Sequence, residues 1–180
     1  MKVVRTKLSG VLVLEPQVFA DERGYFMETF NAEKFRNATG AIVQFVQDNQ
    51  SFSKARVLRG LHYQIEQAQG KLVRVASGAV FDVVVDLRRS SPTFAQWDAV
   101  DLSAENQRML WVPPGCAHGF VVTADHALFL YKVTDAYAPR HERTIAWNDP
   151  SLGIRWPIAD PIVNDKDAAG LSLRDAPTYA

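Results

Sequence analysis

Short runs of apolar residues, separated by turn-forming residues, dominate the chain. The runs are rich in β-branched and aromatic side chains and are too short for helices, which is the pattern of strands in a sheet. Signals for amphipathic helices are few. The pattern predicts strands at residues 11–14, 45–47, 110–112, 120–123 and 128–133.

A β-hairpin is predicted in the middle of the chain. Residues 72–76 and 80–87 are apolar and β-branched, and the Ser77-Gly78 dipeptide between them is a turn signal. Because successive side chains of a strand point in opposite directions, Asp82 and Asp86 share one face of the second strand. Two carboxylates are therefore expected on the same side of this strand.

Helices are expected to be few and short. Asn31 suits the N-cap of a helix over residues 32–38, and Gly40 lies just past its end. From about residue 150 onward, prolines and polar residues indicate an irregular segment that wraps the barrel, with a helical turn near residues 165–169. Many short strands without alternating helices predict an all-β fold of the antiparallel sandwich or jelly-roll type.

Length, composition and charge narrow the possible classes of protein. The 180 residues suit a single domain, residues 1–180, and a hydrophobic content of 47% is typical of a globular core. Twenty basic and 20 acidic side chains cancel, which argues against a broad nucleic-acid-binding surface. The sequence has no G-x-G-x-x-G or P-loop motif, and no apolar stretch as long as a signal peptide or membrane span. These features favour a cytoplasmic protein without nucleic-acid or membrane partners.

Cys116 is the only cysteine, so the chain can form neither an internal disulfide bond nor a cysteine-based zinc site. This is consistent with a reducing cytoplasm. As a small hydrophobic residue in a turn, Cys116 is expected to be chemically inert.

Polar and titratable side chains within apolar strand sequence are the candidates for chemistry, because burying such groups is costly unless they are paired or used. Two such segments also have a purely structural interpretation. Residues 21–28 can form a solvated hairpin tip, and residues 45–51 can form a turn stabilised by an Asx side chain.

Two further segments carry histidines. Arg59, His62 and Lys71 lie within one short strand-turn-strand unit, and a histidine beside two cations in apolar sequence is harder to explain as a structural residue. His118 follows a tight turn over residues 113–115, which directs its side chain to a defined place.

These histidines lie in recognisable motifs. The motifs G-x-H ending at His62 and P-x-G-x-x-H ending at His118 resemble the two motifs of the cupin superfamily, whose members are small jelly-roll barrels with the site inside the barrel. Metal-binding cupins have His-x-His in the first motif, but here Gln64 stands at the second histidine. Two motif histidines are too few for a closed transition-metal site. The resemblance implies a cupin-type double-stranded β-helix, or jelly-roll barrel, without a metal.

A larger set of motifs is more specific. It comprises D-E-R-G at 21–24, F-V-Q-D-N at 45–49, V-L-R-G-L-H at 57–62, K-L-V at 71–73, F-D-V at 81–83, P-G-x-A-H-G-F at 114–120 and Y-K at 131–132. In this order the motifs are similar to the dTDP-4-dehydrorhamnose 3,5-epimerase family, over roughly residues 3–167. The resemblance implies a cofactor-free isomerase, usually a homodimer, that converts dTDP-4-dehydro-6-deoxy-D-glucose to dTDP-4-dehydro-L-rhamnose by epimerisation at C3 and C5 through enolates.

The resemblance implies proton-transfer roles for four residues. The C4 ketone acidifies the protons at C3 and C5, so the reaction needs a base, a group that stabilises charge on O4 and a proton donor on the opposite face. An imidazole suits the base, His62, and by resemblance Asp167 is the partner that fixes its tautomer. Lys71 would stabilise the enolate oxygen, and Tyr131 would donate the proton.

The resemblance also implies a set of binding residues. Arg23 and Arg59 match positions that meet the diphosphate, for which a guanidinium supplies paired donors. In relatives the strand that carries Arg23 reaches the neighbouring subunit's site, so a homodimer would complete the active site. Phe26 and Tyr137 would pack on the thymine and sugar side. Polar contacts would come from Glu28, Gln47, Asn49, His118, Glu142 and Lys166.

One departure from the family pattern keeps alternatives open. Family members commonly carry two adjacent aromatic residues shortly after the Y-K motif, but here Ala136 precedes Tyr137. A mono-epimerase of a related deoxysugar nucleotide pathway is therefore a second interpretation. A noncatalytic sugar-nucleotide-binding cupin is a third, although binding alone needs neither a base nor an acid.

Overall fold

The computed structural model describes all residues, 1–180, and consists mainly of strands. It has two short helices, α1 (Ala32–Thr39) and α2 (Asp165–Ala168). The strands are β1 (Lys2–Arg5), β2 (Leu12–Glu15), β3 (Val18–Asp21), β4 (Gly24–Met27), β5 (Gln47–Lys54), β6 (Leu58–Gln64), β7 (Lys71–Asp86), β8 (Trp97–Ser103), β9 (Met109–Val112), β10 (Cys116–Val133) and β11 (Glu142–Thr144).

Two long antiparallel strands, β7 and β10, organise the fold. They pair with each other along most of their length, and each also pairs with shorter strands on its other edge. The shorter strands complete a nine-stranded sheet, and β3 and β4 form a separate hairpin. Side chains from β2, β7, β8, β9 and β10 meet in one buried apolar cluster, so the sheet curves around a common interior.

The predicted turn at Ser77-Gly78 is wrong, because β7 runs without interruption from Lys71 to Asp86. Gly78 instead marks a bulge, with a φ of 77° and a shift in the pairing with β10. A Cβ atom at this position would lie 1.8 Å from the carbonyl oxygen of His126, so only glycine fits. The strand bends here rather than reversing.

The bulge also changes which residues point inward. Val73 and Val75 before the bulge, and Val80 and Val84 after it, belong to the same interior cluster. A regular strand would place odd-numbered and even-numbered residues on opposite faces. The bulge therefore directs Lys71 and Asp82 to the same interior, although a regular strand would place them on opposite faces.

The other predicted elements are confirmed with some extensions. Helix α1 has Asn31 as its N-cap, whose side chain accepts a hydrogen bond from the Lys34 amide, and Gly40 ends it in the left-handed conformation. The strand predicted at 45–47 begins at Gln47 and continues to Lys54, while the strands predicted at 120–123 and 128–133 are both parts of β10.

The segment after residue 150 packs along the barrel. It forms bridges that pair Ile162 with Val57 and Leu171 with Ile145. The predicted helical turn is confirmed as α2, which lies against β6. The segment thus places α2 beside the strand that carries His62. No helix in the structure has the length and apolar character needed to cross a membrane.

Candidate active site

A cavity of about 360 Å³ opens in the barrel between β5, β6, β7, β10 and β11. Nine of the predicted site residues line this cavity, which brings the candidate chemistry to one place. They are Gln47, Asn49, Arg59, His62, Lys71, His118, Tyr131, Tyr137 and Glu142.

A histidine–aspartate pair lies at one wall. The Nε2 atom of His62 is 2.6 Å from Oδ1 of Asp167, which is buried and 1% exposed. The other oxygen of Asp167 accepts a hydrogen bond of 3.0 Å from the Gly60 amide, and the Asn164 side chain caps α2 by accepting from the Asp167 amide. Burial works to raise the pKa of Asp167, but the hydrogen bonds from His62 and Gly60 hold that pKa below its usual value. The carboxylate therefore stays charged and fixes the imidazole.

Lys71 is the buried cation of the cavity. Its side chain extends from the start of β7, and Nζ donates a hydrogen bond of 3.2 Å to the carbonyl oxygen of His62. Burial lowers the pKa of Lys71 to about 8, although the charges of Glu142 and Asp82 favour the protonated form. A protonated ammonium that has lost its water shell is well suited to stabilising a developing oxyanion.

A second histidine–aspartate pair lies deeper in the barrel. Nε2 of His118 is 2.9 and 3.0 Å from the two carboxylate oxygens of Asp82, which is completely buried. Burial raises the pKa of Asp82, and the nearby charge of His118 only partly offsets this effect. The strand pattern predicts the face on which Asp82 lies but not its pairing with His118. The signal was a carboxylate within the apolar run F-D-V.

Tyr131 and Tyr137 occupy different parts of the wall. Tyr131 lies in β10, opposite Asn49 of β5, and burial, followed by the charge of Glu142, raises its pKa. Its phenol is therefore protonated at neutral pH and can donate a proton. The hydroxyl of Tyr137 donates a hydrogen bond of 2.7 Å to Glu142, which also pairs with Lys166.

Arg59 is held with part of its guanidinium unoccupied. Its Nε donates a hydrogen bond of 2.9 Å to the Ser53 hydroxyl, and Nη2 makes a longer contact with the Phe52 carbonyl. These contacts orient the planar group toward the cavity that it lines, where its remaining donors can meet an anion.

Similarity to known proteins extends over nearly the whole chain. The sequence model of the family described as dTDP-4-dehydrorhamnose 3,5-epimerase matches residues 5–175. The chain belongs to this epimerase family. The dTDP-4-dehydrorhamnose 3,5-epimerase of Pseudomonas aeruginosa is 56% identical over 180 residues, which cover 99% of each chain.

Solved structures of the epimerase family confirm the predicted cupin-type jelly-roll barrel. The dTDP-6-deoxy-D-glucose-3,5-epimerase of Legionella pneumophila, in complex with dTDP-4-keto-L-rhamnose, is 47% identical with a TM-score of 0.94, and the match covers 97% of this chain and 93% of that chain. A 3'-monoepimerase of Streptomyces bikiniensis, in complex with dTDP-quinovose, is 35% identical with a TM-score of 0.88. That match covers 94% of this chain and 86% of that chain. Structural neighbours thus bind dTDP-sugars.

Four predicted binding residues do not line the cavity of this epimerase-family chain: Lys166, which pairs with the cavity residue Glu142, and three residues near the N-terminus. Arg23 and Phe26 belong to the β3–β4 hairpin, here called the arm (residues 18–27), and Glu28 follows it. Arg23 pairs with Asp21 at 2.6 Å, and Phe26 is 70% exposed. Within one chain, therefore, the arm is a solvated hairpin that does not line the cavity.

The cavity contains no cluster of metal ligands. Nowhere in the chain do three or more His, Cys, Asp or Glu side chains come together in a way that could hold a metal ion. His62 and His118 each face a carboxylate instead, and Gln64 bonds to backbone groups. Metal-independent catalysis stays a prediction for this member of the epimerase family.

Proposed function

We propose that the protein epimerises dTDP-4-dehydro-6-deoxy-D-glucose at C3 and C5 and releases dTDP-4-dehydro-L-rhamnose. The observation that carries the proposal is the His62–Asp167 pair, which faces the same cavity as Lys71 and Tyr131. A base, a cation for an oxyanion and a phenolic acid in one cavity match the needs of proton exchange next to a ketone. Family membership supports the same reaction.

Each epimerisation can be written as two proton transfers. His62 removes the proton from C3 or C5, the C–H bond breaks, and its electron pair forms the enolate with the negative charge on O4. Lys71 stabilises that charge, which exists only as the transition state is approached. Tyr131 then donates its proton to the opposite face of the same carbon. Exchange with solvent returns a proton to Tyr131 and removes one from His62.

Different residues of the cavity wall are proposed to bind different parts of the substrate. The free donors of Arg59 suit the diphosphate, while Gln47 and Asn49 on β5 offer amide groups to the sugar. Tyr137, with the Glu142–Lys166 pair behind it, forms the thymine and sugar side. His118, held by Asp82, supplies a further polar contact.

Solvent exchange at the two carbons tests the proposed function directly. Proton NMR of the substrate with the purified protein in deuterium oxide follows C3 and C5 separately, and a reductase traps the product. Deuterium at both carbons is the expected result. Deuterium at neither carbon, despite tight binding, would mean that the protein is a noncatalytic binding module.

A mono-epimerase is the second candidate. Two observations favour this candidate. The chain matches a 3'-monoepimerase, and Ala136 stands in place of an aromatic residue. Relatives that are 56% and 55% identical carry the 3,5-epimerase name, which favours the double reaction. Exchange at one carbon alone in the NMR experiment would establish the mono-epimerase.

Replacing Tyr131 with phenylalanine should separate the two proton transfers. The change removes the proposed acid but leaves the His62–Asp167 pair intact, so substrate protons should still wash out while product formation falls by about 10²-fold or more. NMR measures both rates in one sample. Equal loss of wash-out and product formation would contradict the donor role of Tyr131.

We also propose that a homodimer completes the active site. The arm exposes Phe19 and Phe26, whose ring centroids lie 6.5 Å apart, and Tyr25 on its other face, and such large apolar side chains are costly to leave in water. Arg23 at its tip has only Asp21 as a partner, so its charge is available to a diphosphate in the second subunit.

The cytoplasmic location of the protein also stays a prediction.

Mixing two impaired variants tests this exchange of arms. Arg23→Ala should raise KM about tenfold or more through loss of a charge-assisted hydrogen bond, and His62→Ala removes the base. In a mixed dimer, one site combines an intact His62 with an intact partner arm. Re-equilibrated mixtures should therefore regain about a quarter of the wild-type activity at low substrate, since half of the dimers are mixed. If the arm acted within its own subunit, mixing would restore nothing.

A further inference from the structure

Residues 134–138, here called the strap, connect β10 toward β11 and carry Tyr137 along the cavity wall. The strap has no strand or helix structure, so its backbone groups find their hydrogen-bond partners elsewhere. At its beginning, the Thr134 amide and hydroxyl bond to Gly70. Beyond that point, three glutamine side chains supply most of the partners.

Gln64 makes the most extensive of these contacts. Its Oε1 accepts a hydrogen bond of 2.9 Å from the Ala138 amide, and its Nε2 donates to the Ala136 carbonyl at 3.2 Å and to the Gln67 carbonyl at 2.8 Å. One side-chain amide thus brackets Tyr137 on both sides along the chain. Gln64 is only 3% exposed, so solvent competes little for these bonds.

The two other glutamines add single bonds. Gln47 accepts from the Tyr137 amide at 3.1 Å, and Gln69 donates to the Asp135 carbonyl at 2.9 Å. Neither of them bonds to the strap on both sides of Tyr137. Gln64 is therefore the main residue that holds the strap, and it is here called the clamp.

The clamp matters because packing alone does not fix Tyr137. Its side chain is 52% exposed, yet its hydroxyl meets Glu142 at 2.7 Å. An exposed tyrosine on an irregular segment keeps such a contact only if its backbone is held. The bonds to Gln64 and Gln47 provide that support.

We propose that Gln64 is a positioning residue, which fixes the strap so that Tyr137 is preset to receive the sugar nucleotide. At this position metal-binding cupins carry a histidine, whereas here the amide is used by the backbone of the strap. The nature of the ligand rests on the proposed function, but the clamp itself does not. Presetting a binding residue lowers the ordering cost of binding, so its loss raises KM more than it lowers kcat.

Gln64→Met removes all three hydrogen bonds and keeps the length of the side chain. We expect KM for the dTDP-sugar to rise about tenfold with kcat nearly unchanged. Amide hydrogen exchange should show that the Ala138 amide loses its protection, with or without substrate. The matched control is Gln107→Met, which removes a bond to the Ala104 carbonyl outside the cavity and should change neither quantity.

A double-mutant cycle with Tyr137→Ala, which removes the ring, separates positioning from a general effect on folding. If Gln64 acts through Tyr137, adding Gln64→Met to Tyr137→Ala should leave KM about as it is in Tyr137→Ala alone. KM increases that multiply would overturn the proposal, as would an Ala138 amide that stays protected in Gln64→Met. If the methionine variant does not fold, Gln64→Glu retains an acceptor for the Ala138 amide and should give an intermediate KM.

The two proposals fail in different ways. A wild-type protein that exchanges neither carbon would overturn the proposed function, while hydrogen exchange at Ala138 would still decide whether Gln64 holds the strap. A turnover-competent protein whose Gln64→Met variant keeps its KM would overturn only the clamp.

Discussion

His62→Ala should abolish deuterium exchange at both C3 and C5, with kcat/KM falling by about 10²–10⁴-fold. The alanine removes the imidazole that lines the cavity and that pairs with the Asp167 carboxylate. The proposed diphosphate contact of Arg59 is untouched, so calorimetry should show dTDP binding as in the wild type. Retained exchange at either carbon would contradict the assignment of His62 as the base for that carbon.

The matched control for this variant is His126→Ala. His126 bonds to the Ser77 hydroxyl and stacks on Phe52, and it does not line the cavity. Its removal should leave exchange at both carbons unchanged. Asp167→Asn is a companion test, because an amide cannot stabilise the imidazolium and can select the wrong tautomer, so turnover should fall although His62 is present.

Lys71→Met should lower kcat by about 10²–10³-fold, the usual effect of losing one donor to a developing oxyanion. Methionine fills similar space and removes a charge that is costly to bury, so the free energy of unfolding should not fall. Steady-state kinetics and urea unfolding measure the two effects. An unchanged kcat in Lys71→Met would overturn its role.

The pH profile gives a second readout for Lys71. Its pKa of about 8 means that the wild-type rate should decline as the pH rises through 8, because the neutral amine cannot stabilise the enolate. The residual rate of Lys71→Met should lack this decline. Lys132→Met is the control, since Lys132 pairs with Asp48 at 2.9 Å on an exposed part of the sheet, and its kinetics should match the wild type.

The elements that sequence patterns predict best are those with strong local signals. Asn31 and Gly40 mark both ends of α1, and apolar β-branched runs mark the centres of most strands. The prediction of a turn at Gly78 is wrong because a glycine with positive φ is compatible with both a turn and a bulge. Only the partner strand, β10, decides between them, and that pairing is distant in sequence.

Predicting the site depended on a different kind of information. His62 and Lys71 stand out because they interrupt apolar sequence, and both line the cavity. Asp167 gives no such local signal, since it lies in a polar turn and meets His62 across more than a hundred residues. Asp167 is a candidate only through the resemblance to the epimerase family. The strand pattern predicts the face on which Asp82 lies, but the pairing of Asp82 with His118 depends on the register between β7 and β10.

The wrapping segment has a consequence for when the enzyme becomes active. Asp167 reaches His62 only after the chain beyond residue 150 has docked on the barrel through bridges such as Ile162–Val57 and Leu171–Ile145. A barrel on which this segment has not docked would therefore contain His62 and Lys71 but no oriented base. Local opening of the segment would switch off proton transfer, and it would also uncover the core residues Leu152 and Ala176. Orientation of the base and completion of the core thus depend on the same docking step.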